Sequence, residues 1–512
     1  MARDDAPQHF DILVVGAGIS GIGAGVYLQQ NCPGKSYAIL ENRESFGGTW
    51  DLFRYPGIRS DSDMFTLGYA FKPWTEQKAI ADGPSILNYL DETATEYGIH
   101  DKIRYRHNVK AASWSSETAC WTVDVEAGEN AEPRQYTCNF LYMCSGYYNY
   151  ESGYTPDWKG FGDFEGQIVH PQHWPQDLDY AGKEVLVIGS GATAVTLVPA
   201  MLDSENPAGH VTMLQRSPTY MVSRPASDRF ANFLRRILPS KWAYSLIRKK
   251  HVTLQQLIFR RARTKPDKVK EVLLKHVREE LGENYDVATH FTPSYNPWEQ
   301  RLCLVPDSDF FSAVKAGKAS VVTDHIDRFT KTGIKLQSGE ELAADIIVTA
   351  TGLDLQMAGG IDVTVDGKAI NFHDTITYKA MMFSDVPNFA ISFGYTNASW
   401  TLRADLTNEY VCRMINYMDD NGVEIATPRL PDDDVIERRP WVDFSSGYFK
   451  RAESKLPSQG HKGVWQNLQN YPKDIRALKH GAIDDGAIEF RKRSAAASTA
   501  SEPEETAAIA AE

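Results

Sequence analysis

The chain has 512 residues, more than a single hydrophobic core usually supports, so its length predicts two or three domains. A hydrophobic content of 42% excludes wholesale disorder, and a net charge of -13 argues against nucleic acid as a partner. Six scattered cysteines form no C-x-x-C pair, which points away from a zinc site or a disulfide framework and towards the cytoplasm. Because no apolar stretch approaches the roughly 20 residues of a membrane span and the N-terminus is polar, we expect a soluble protein without a signal peptide.

The first predicted elements form a βαβ unit. A buried parallel strand over residues 10–15 leads into the turn Gly16-Ala17-Gly18-Ile19-Ser20-Gly21, which is followed by a helix and by a second strand over 36–40. The glycines allow a tight turn and a close backbone approach to a pyrophosphate, which the helix N-terminus attracts. Glu41 ends the second strand, where its carboxylate can accept hydrogen bonds from ribose hydroxyls and would repel a 2′-phosphate. The unit therefore predicts FAD or NAD, held through Gly16, Gly18, Ser20, Gly21 and Glu41.

The same pattern recurs about 170 residues later. A strand over 185–188 precedes the turn Gly189-Ser190-Gly191-Ala192-Thr193-Ala194, and a further helix and a strand over 211–214 follow. One such unit binds one dinucleotide, so the repeat predicts a second nucleotide domain. The second strand ends in Gln215 and Arg216 instead of an acid, and an arginine there pairs well with a 2′-phosphate. This site therefore predicts NADPH, with an ordinary surface charge as the alternative for Arg216.

Between the second unit and the next buried strand, over 344–350, the chain is helical and basic. We interpret residues 223–296 as an insertion into the second nucleotide domain, whose basic residues form a solvated face more readily than a contact with a membrane surface. The predicted fold is α/β, with two Rossmann-like dinucleotide-binding domains and this helical insertion in the second. Its expected parts are an FAD-binding domain (1–149 and 353–493), an NADPH-binding domain (150–222 and 297–352), the insertion and a disordered tail (494–512).

Two nucleotide sites of opposite charge preference imply that one site holds a flavin and the other brings a nicotinamide to reduce it. Disulfide reductases share that layout, but they need a redox cysteine pair just after the first βαβ unit. The corresponding segment here, Gly47-Gly48-Thr49-Trp50-Asp51-Leu52-Phe53-Arg54, contains no cysteine. The sequence therefore favours a flavoprotein oxidoreductase of another kind.

Three further segments resemble the fingerprints of type I Baeyer–Villiger monooxygenases. The first is Phe164-x-Gly166-x-x-x-His170-x-x-x-Trp174-Pro175, in which flavin monooxygenases acting on nitrogen or sulfur usually carry Phe or Tyr at the position of Trp174. The second joins Gly48-x-Trp50 to Tyr55-Pro56-Gly57-x-x-x-Asp61, and the third is Ala350-Thr351-Gly352. The amino-acid sequences of residues 47–74 and 394–402 are similar to those of the ethionamide-activating subgroup of these enzymes.

The resemblance implies an activity. In this family NADPH reduces FAD, and the reduced flavin reacts with molecular oxygen to give a C4a-peroxyflavin that attacks a ketone and yields an ester. The subgroup favours open-chain aliphatic ketones, with sulfoxidation of thioethers as a side reaction. Two alternatives stay open: a flavin monooxygenase acting mainly on sulfur or nitrogen, and a non-catalytic nucleotide sensor.

The resemblance also implies roles for single residues. Arg301 aligns with the active-site arginine of the family, and its permanent charge suits the stabilisation of an anion. Asp61 would lie near the flavin and hold Arg301 in place. Gln300 stands where the family commonly has a lysine for the 2′-phosphate, which leaves Arg216 as the main determinant of NADPH preference. His170 and His173 are not expected to bind a metal. Further cofactor contacts are expected from Thr49, Trp50, Asp51 and Leu52 at the flavin, Val109 at the adenine, and Arg59 and Ser60 at the nicotinamide nucleotide.

Overall fold

The structure is a computed structural model that describes residues 6–300, 302–432 and 435–493. The predicted catalytic Arg301 and the predicted disordered tail, 494–512, therefore lie outside the described residues. Two parallel-stranded cores carry the two Gly-rich turns, and the predicted α/β fold class is confirmed. The division into domain parts stays a prediction.

The first unit begins and ends within two residues of its predicted bounds. β1 pairs in parallel with β2 and β6, and its side chains alternate between two cores: Ile12 and Val14 face one, while Leu13 and Val15 face the other. A strand buried on both faces in this way is typical of a parallel sheet covered by helices. The elements of this region are β1 (Gln8–Val15), α1 (Ile19–Asn31), β2 (Tyr37–Leu40), α2 (Thr49–Leu52), α3 (Met64–Leu67), α4 (Gly83–Glu96), β3 (Ile103–Arg104), β4 (His107–Ser115), β5 (Cys120–Ala127), β6 (Glu132–Met143) and β7 (Tyr148–Gly153).

The second unit repeats this packing around β9, where Val185 and Val187 face one core and Leu186 and Ile188 face another. Its elements are β8 (Gln167–Val169), β9 (Glu184–Ile188), α5 (Ala192–Leu202), β10 (His210–Gln215) and β11 (Met221–Arg224).

Four helices follow within the segment predicted as an insertion: α6 (Arg229–Ile237), α7 (Ser240–Thr264), α8 (Pro266–Leu281) and α9 (Val287–His290). Among the described residues, no helix has both the length and the apolar character that crossing a bilayer requires.

After the helices the chain returns to the second sheet, which has the all-parallel order β13-β10-β9-β17-β8. The carboxyl ends of its strands therefore meet at one edge, where such sheets bind their ligands. The elements of this return are β12 (Cys303–Pro306), α10 (Asp309–Lys315), β13 (Ala319–Thr323), β14 (Ile326–Thr330), β15 (Gly333–Leu336), β16 (Glu341–Ala343) and β17 (Ile346–Thr349).

The C-terminal part completes the first sheet, whose order is β20-β19-β4-β5-β6-β1-β2-β3, with β23 also paired to β6. The long helix of this part packs against α1 and covers one face of that sheet. The elements are β18 (Leu353–Leu355), β19 (Asp362–Val365), β20 (Lys368–Ala369), β21 (Thr377–Tyr378), β22 (Met382–Phe383), β23 (Phe389–Ile391), α11 (Trp400–Asn421), β24 (Ile425–Pro428), β25 (Arg438–Pro440), α12 (Gly447–Ala452), β26 (Ser458–Gly460), α13 (Tyr471–Asp474) and β27 (Ile488–Arg491).

A charged cluster ties α6 and α7 to the start of α3. Asp228 caps α6 by accepting a hydrogen bond from the Ala231 amide at 3.0 Å, and it also binds Lys250 Nζ at 2.5 Å and His251 Nε2 at 2.8 Å. His251 Nδ1 lies 3.2 Å from the carboxylate of Asp63, at the start of α3. Burial raises the pKa of Asp228, but the hydrogen bonds from Lys250, Ala231 and His251 outweigh burial and lower the pKa to about 2.

We expect Asp228→Asn to lower the free energy of unfolding by about 1 kcal/mol at neutral pH. The folded-state pKa lies below the unfolded value of 3.8, so this stabilisation is present above about pH 4 and is lost as the pH falls towards 2. Urea unfolding at several pH values should show the difference from wild type shrinking in acid. Asp362→Asn, at an exposed position, is the control. A constant difference at every pH would contradict the electrostatic origin.

Candidate functional site

A cavity of about 1030 Å³ connects the two Gly-rich turns. It is lined by the carboxyl end of β1 and by that of β9, together with the loops that follow α2, β6 and β17. Ligands of parallel sheets bind at this edge, so a single chamber is open to both predicted dinucleotide sites. A smaller cavity of about 500 Å³ lies beside Arg54 and Trp174, so the fingerprint tryptophan borders that cavity instead.

Two positions of the first turn, Gly16 and Gly21, have steric limits that only glycine satisfies. Gly16 has a φ of +102°, and a Cβ there would lie 2.7 Å from the carbonyl oxygen of Cys144, which follows β6. A Cβ on Gly21 would lie 1.8 Å from the carbonyl oxygen of Gly16. Gly18 is the N-cap of α1 and supplies no side chain to its first amides. Those N–H groups are thus available to a pyrophosphate.

Glu41, the predicted ribose ligand, lies in the wall of the cavity. It is buried, lines the cavity, and accepts hydrogen bonds from the amides of Ala17 at 2.7 Å and Arg43 at 3.0 Å. Burial raises the pKa of this carboxyl, while the two amides favour its ionised form. These bonds fix the carboxylate beside the first turn, where ribose hydroxyls would approach.

The second turn has the same construction. Gly189 has a φ of +138°, and a Cβ there would lie 2.3 Å from the carbonyl oxygen of Ala350, which follows β17. Gly191 is the N-cap of α5, again without a capping side chain, and a Cβ on it would meet no protein atom within 4 Å. Arg216, just beyond β10, lines the cavity together with Ser217. The residues present therefore fit a second dinucleotide, with a cation near its 2′-phosphate position.

Most of the predicted site residues that the structure describes line this cavity, and five of them do not. Gly21 and Ala194 are buried in their helices, and Leu52, the last residue of α2, packs against the core that contains Val185 and Val187. Asp51 forms ion pairs with Arg43 at 2.9 Å and with Arg54, so its carboxylate holds the segments on either side of α2 together. The side-chain amide of Gln215 donates to the carbonyl of His290 and to Thr323, facing away from the cavity. The predicted residues that do line it are Gly16, Gly18, Ser20, Glu41, Thr49, Trp50, Arg59, Ser60, Asp61, Val109, Gly189, Ser190, Gly191, Ala192, Thr193 and Arg216.

Arg59 offers a further cation in the wall. Its Nη1 pairs with Asp309 of α10, whereas its Nη2 is buried without a hydrogen-bond partner among the described residues. A buried guanidinium nitrogen without a partner is costly, and an anionic ligand would satisfy it. This observation fits the predicted contact between Arg59 and the nicotinamide nucleotide.

Several residues that shape the cavity were not predicted from the sequence. Trp400 stacks on Tyr147, with ring centroids 5.3 Å apart and planes 14° apart, and its indole N–H donates to Ser20 Oγ at 2.8 Å. Gly394 leaves room for the Trp400 ring, which a Cβ would approach to 2.4 Å. The guanidinium of Arg451, on α12, lies 3.5 Å from the centroid of the Tyr154 ring. No motif marks these residues, although Gly394 and Trp400 belong to segment 394–402, whose sequence is similar to the ethionamide-activating subgroup.

Comparison with known proteins identifies the family to which the chain belongs. Residues 14–76 match the model of the NAD(P)-binding Rossmann-like domain, and residues 76–278 match the flavin-binding monooxygenase-like model. The chain is 54% identical over 488 residues to the FAD-containing monooxygenase EthA of Mycobacterium tuberculosis, covering 95% of this chain and 99% of the relative. It is 50% identical over 485 residues to MymA, a putative FAD-containing monooxygenase of the same species, covering 94% and 98%.

Solved structures share the fold at lower identity. An oxidised steroid monooxygenase bound to NADP superposes with a TM-score of 0.75 at 22% identity, covering 95% of this chain and all of that one. OTEMO in complex with FAD and NADP gives a TM-score of 0.74 at 22% identity, with the same coverage. Cyclohexanone monooxygenase bound to ε-caprolactone gives 0.73 at 20% identity, covering 94% and 100%. With two relatives at half identity or more over nearly their whole length, the family expected from the fingerprints is confirmed: the chain belongs to the FAD-containing monooxygenases that include EthA and MymA.

Proposed function

We propose that this monooxygenase uses NADPH and molecular oxygen to convert ketones into esters, with open-chain aliphatic ketones preferred and sulfoxidation as a side reaction. The observation that carries the proposal is the single cavity of about 1030 Å³ shared by both Gly-rich turns. A chamber of this kind lets the hydride donor, the flavin and the substrate meet away from bulk water. Two proteins of similar fold support the same reaction class: a steroid monooxygenase bound to NADP and a cyclohexanone monooxygenase bound to ε-caprolactone.

In this proposal the amides at the N-terminus of α1 would hold the pyrophosphate of FAD, and Glu41 would bind a ribose. Bound and reduced, the flavin supplies the activated oxygen that the reaction inserts. Thr49 and Trp50 line the same cavity and would contact the flavin, and the backbone of Val109 would hold the adenine. Trp400 and Tyr147 close the wall near Ser20, where their stacked rings exclude water.

The amides at the N-terminus of α5 would hold the pyrophosphate of NADPH, and Arg216 would bind its 2′-phosphate. Arg59 and Ser60 approach the nicotinamide half. The proposed catalytic pair is Asp61 and Arg301; Asp61 lines the cavity, as do Gln300 and Cys303 on either side of the arginine. Arg301 would supply a cation that keeps its proton at every working pH.

Arg451 is proposed as the cation that compensates for Gln300. Arg216 and Arg451 both line the cavity, and burial lowers the pKa of Arg451 while the positive charge of Arg216 acts in the same direction. Two arginines that repel each other across a cavity provide a site for a doubly charged phosphate. In this proposal Arg451 would be a second phosphate ligand, from the C-terminal part of the chain.

We expect Arg216→Ala and Arg451→Ala each to raise the NADPH concentration needed for half-maximal flavin reduction by about tenfold to a hundredfold, because a charge-assisted bond is lost. The value for NADH should change little, since NADH lacks the 2′-phosphate. Anaerobic flavin reduction at varied coenzyme concentration measures both. Arg134→Ala, at an exposed position on β6, is the control. Unchanged NADPH dependence in the Arg451 variant would remove that residue from the site.

The reaction itself is tested with the purified, FAD-loaded enzyme on a panel of linear, cyclic and aryl ketones beside a thioether. We expect esters as the main products from linear ketones, with less sulfoxide, by gas chromatography. Exclusive sulfoxidation would contradict the proposal and favour the alternative to which the flavin-binding monooxygenase-like match also points, oxygenation of sulfur or nitrogen. Flavin that NADPH does not reduce anaerobically would instead indicate a nucleotide sensor.

We also propose a cytoplasmic location. All six cysteines of the chain lie within the described residues, where none of them forms a disulfide and five are buried, which suits a reducing compartment.

A further inference from the structure

Helices α6 and α7 carry an unusual concentration of positive charge for an acidic protein. The net charge of the chain is -13, yet residues 229–265 contain no aspartate or glutamate. The same stretch has 11 basic residues: Arg229, Arg235, Arg236, Lys241, Arg248, Lys249, Lys250, Arg260, Arg261, Arg263 and Lys265. Most of these side chains are exposed, so they create a local field opposite in sign to the net charge of the molecule.

The same two helices expose large apolar side chains. Seven of the ten large hydrophobic residues that are exposed in the described part belong to α6 and α7, among them Trp242, which is 71% exposed, and Phe233, which is 57% exposed. Their spacing is helical: Phe233 precedes Ile237 by four residues, and Trp242 precedes Leu246 by four. Side chains three and four apart share a helix face, so these residues form apolar stripes on the outer surface. We call this combined surface the basic–apolar platform.

The platform is held rigidly. Lys250 Nζ of α7 lies 4.9 Å from the Phe230 ring of α6, so the exposed faces of the two helices adjoin. On the opposite face of α7, Arg248 donates to the carbonyl oxygen of Gly68 at 2.7 Å and pairs with Asp405 at 3.3 Å. Tyr244 donates to the carbonyl oxygen of Tyr69 at 2.9 Å. Because the inner face is anchored to the first nucleotide domain, the outer face has a fixed direction.

The combination of cations and apolar side chains on the platform distinguishes between three possible binding partners. In a symmetric dimer the same patch meets itself, so a second copy would bring these cations against their equivalents. A nucleic acid would match the charge but leave Trp242, Phe233 and Ile237 without apolar partners. An anionic lipid surface satisfies both features, since phosphate headgroups attract the cations while the apolar side chains enter the acyl boundary.

We propose that helices α6 and α7 dock this protein peripherally onto an anionic phospholipid surface. Exposed aromatic and aliphatic side chains on a basic amphipathic helix are the features of helices that lie in the plane of the membrane interface. The docking rests on the geometry of the insertion and does not depend on which substrate the enzyme oxidises.

The test is cosedimentation of the FAD-loaded protein with vesicles of phosphatidylglycerol mixed with phosphatidylcholine, and with vesicles of phosphatidylcholine alone. We expect strong binding to the anionic vesicles only, weakened by salt because screening shortens the range of the attraction. A charge variant, Arg236→Gln with Lys241→Gln and Lys249→Gln, should bind about tenfold less or weaker still. An apolar variant, Phe233→Ser with Trp242→Ser and Leu246→Ser, should lose binding to a similar degree at every salt concentration.

A matched control carries the same charge change on other surfaces: Lys318→Gln with Lys335→Gln and Lys368→Gln, all at exposed positions. It should bind like wild type, and every variant should keep its FAD, which shows that it is folded. Equal binding of the charge variant and wild type would overturn the proposal. It would also be overturned if anionic vesicles were not bound while the apolar variant dissociated a dimer in light scattering, because the platform would then be an interface between copies of this chain.

Discussion

Gly18→Ala is expected to give a folded protein whose affinity for FAD is about a hundredfold lower or weaker still, and which therefore has neither reductase nor oxygenase activity. The backbone of Gly18 has a φ of -80°, which alanine adopts without strain. An added Cβ would lie 3.5 Å from the Cα of Gly48, an ordinary van der Waals contact. The methyl group thus conflicts with nothing in the protein and occupies only the space through which a pyrophosphate must approach. Flavin absorbance of the purified protein, with unfolding monitored by circular dichroism, measures the two effects separately.

The second turn provides the matched variant. Gly191 has a φ of -77°, and a Cβ there meets no protein atom within 4 Å. Gly191→Ala should keep its FAD but should need much more NADPH for anaerobic flavin reduction. Gly34→Ala, where a Cβ likewise meets nothing, should behave like wild type in both assays. Full FAD content in Gly18→Ala, or loss of FAD from Gly191→Ala, would contradict the assignment of the two turns to the two cofactors.

The turns were predictable because local chemistry determines them. Each unit contains a glycine with a positive φ, +102° or +138°, and a helix that begins just after it. An acidic or a basic residue then follows the second strand, and all of these features are encoded within about 30 consecutive residues. For the same reason the strands of both units begin and end close to their predicted positions. The side chain of Gln215 illustrates the limit of this reasoning. Its position at a strand end suggested a cofactor contact, but the direction of the side chain depends on α9 and β13, which arrive much later in the chain.

The remaining cavity wall was not predictable, because it is assembled from distant segments. Trp400 reaches Ser20 across 380 positions, and Arg451 reaches Tyr154 from a helix that carries no recognisable motif. Single exposed arginines are common in any sequence, so a contact of this kind becomes visible only when the fold brings the partners together. The basic character of the insertion was evident in the sequence, whereas the exposure of its apolar side chains, such as Trp242, required the structure.

Arg301→Ala is expected to retain FAD and its reduction by NADPH, while ester formation falls by about a hundredfold to a thousandfold. When oxygen is transferred to a ketone carbon, negative charge develops on the ketone oxygen, and a fixed cation in a water-poor chamber stabilises that charge. Gln300, just before the arginine, and Cys303, two residues after it, line the cavity, as does the proposed partner Asp61. Since the two Gly-rich turns are untouched by the substitution, coenzyme binding and flavin reduction should persist. The measurements are anaerobic flavin reduction, ester yield by gas chromatography and release of hydrogen peroxide.

The charge and the planar shape of the guanidinium are separated by a second substitution. Arg301→Lys keeps the positive charge but loses the bidentate geometry, so we expect partial recovery of ester formation relative to Arg301→Ala. Arg260→Ala, an exposed arginine on α7, should leave both half-reactions unchanged. If hydrogen peroxide replaces ester in Arg301→Ala, the arginine acts on the oxygen-transfer step, because NADPH is still consumed. Ester formation at the wild-type rate in Arg301→Ala would remove this residue from the catalytic step and leave Asp61 without its proposed partner.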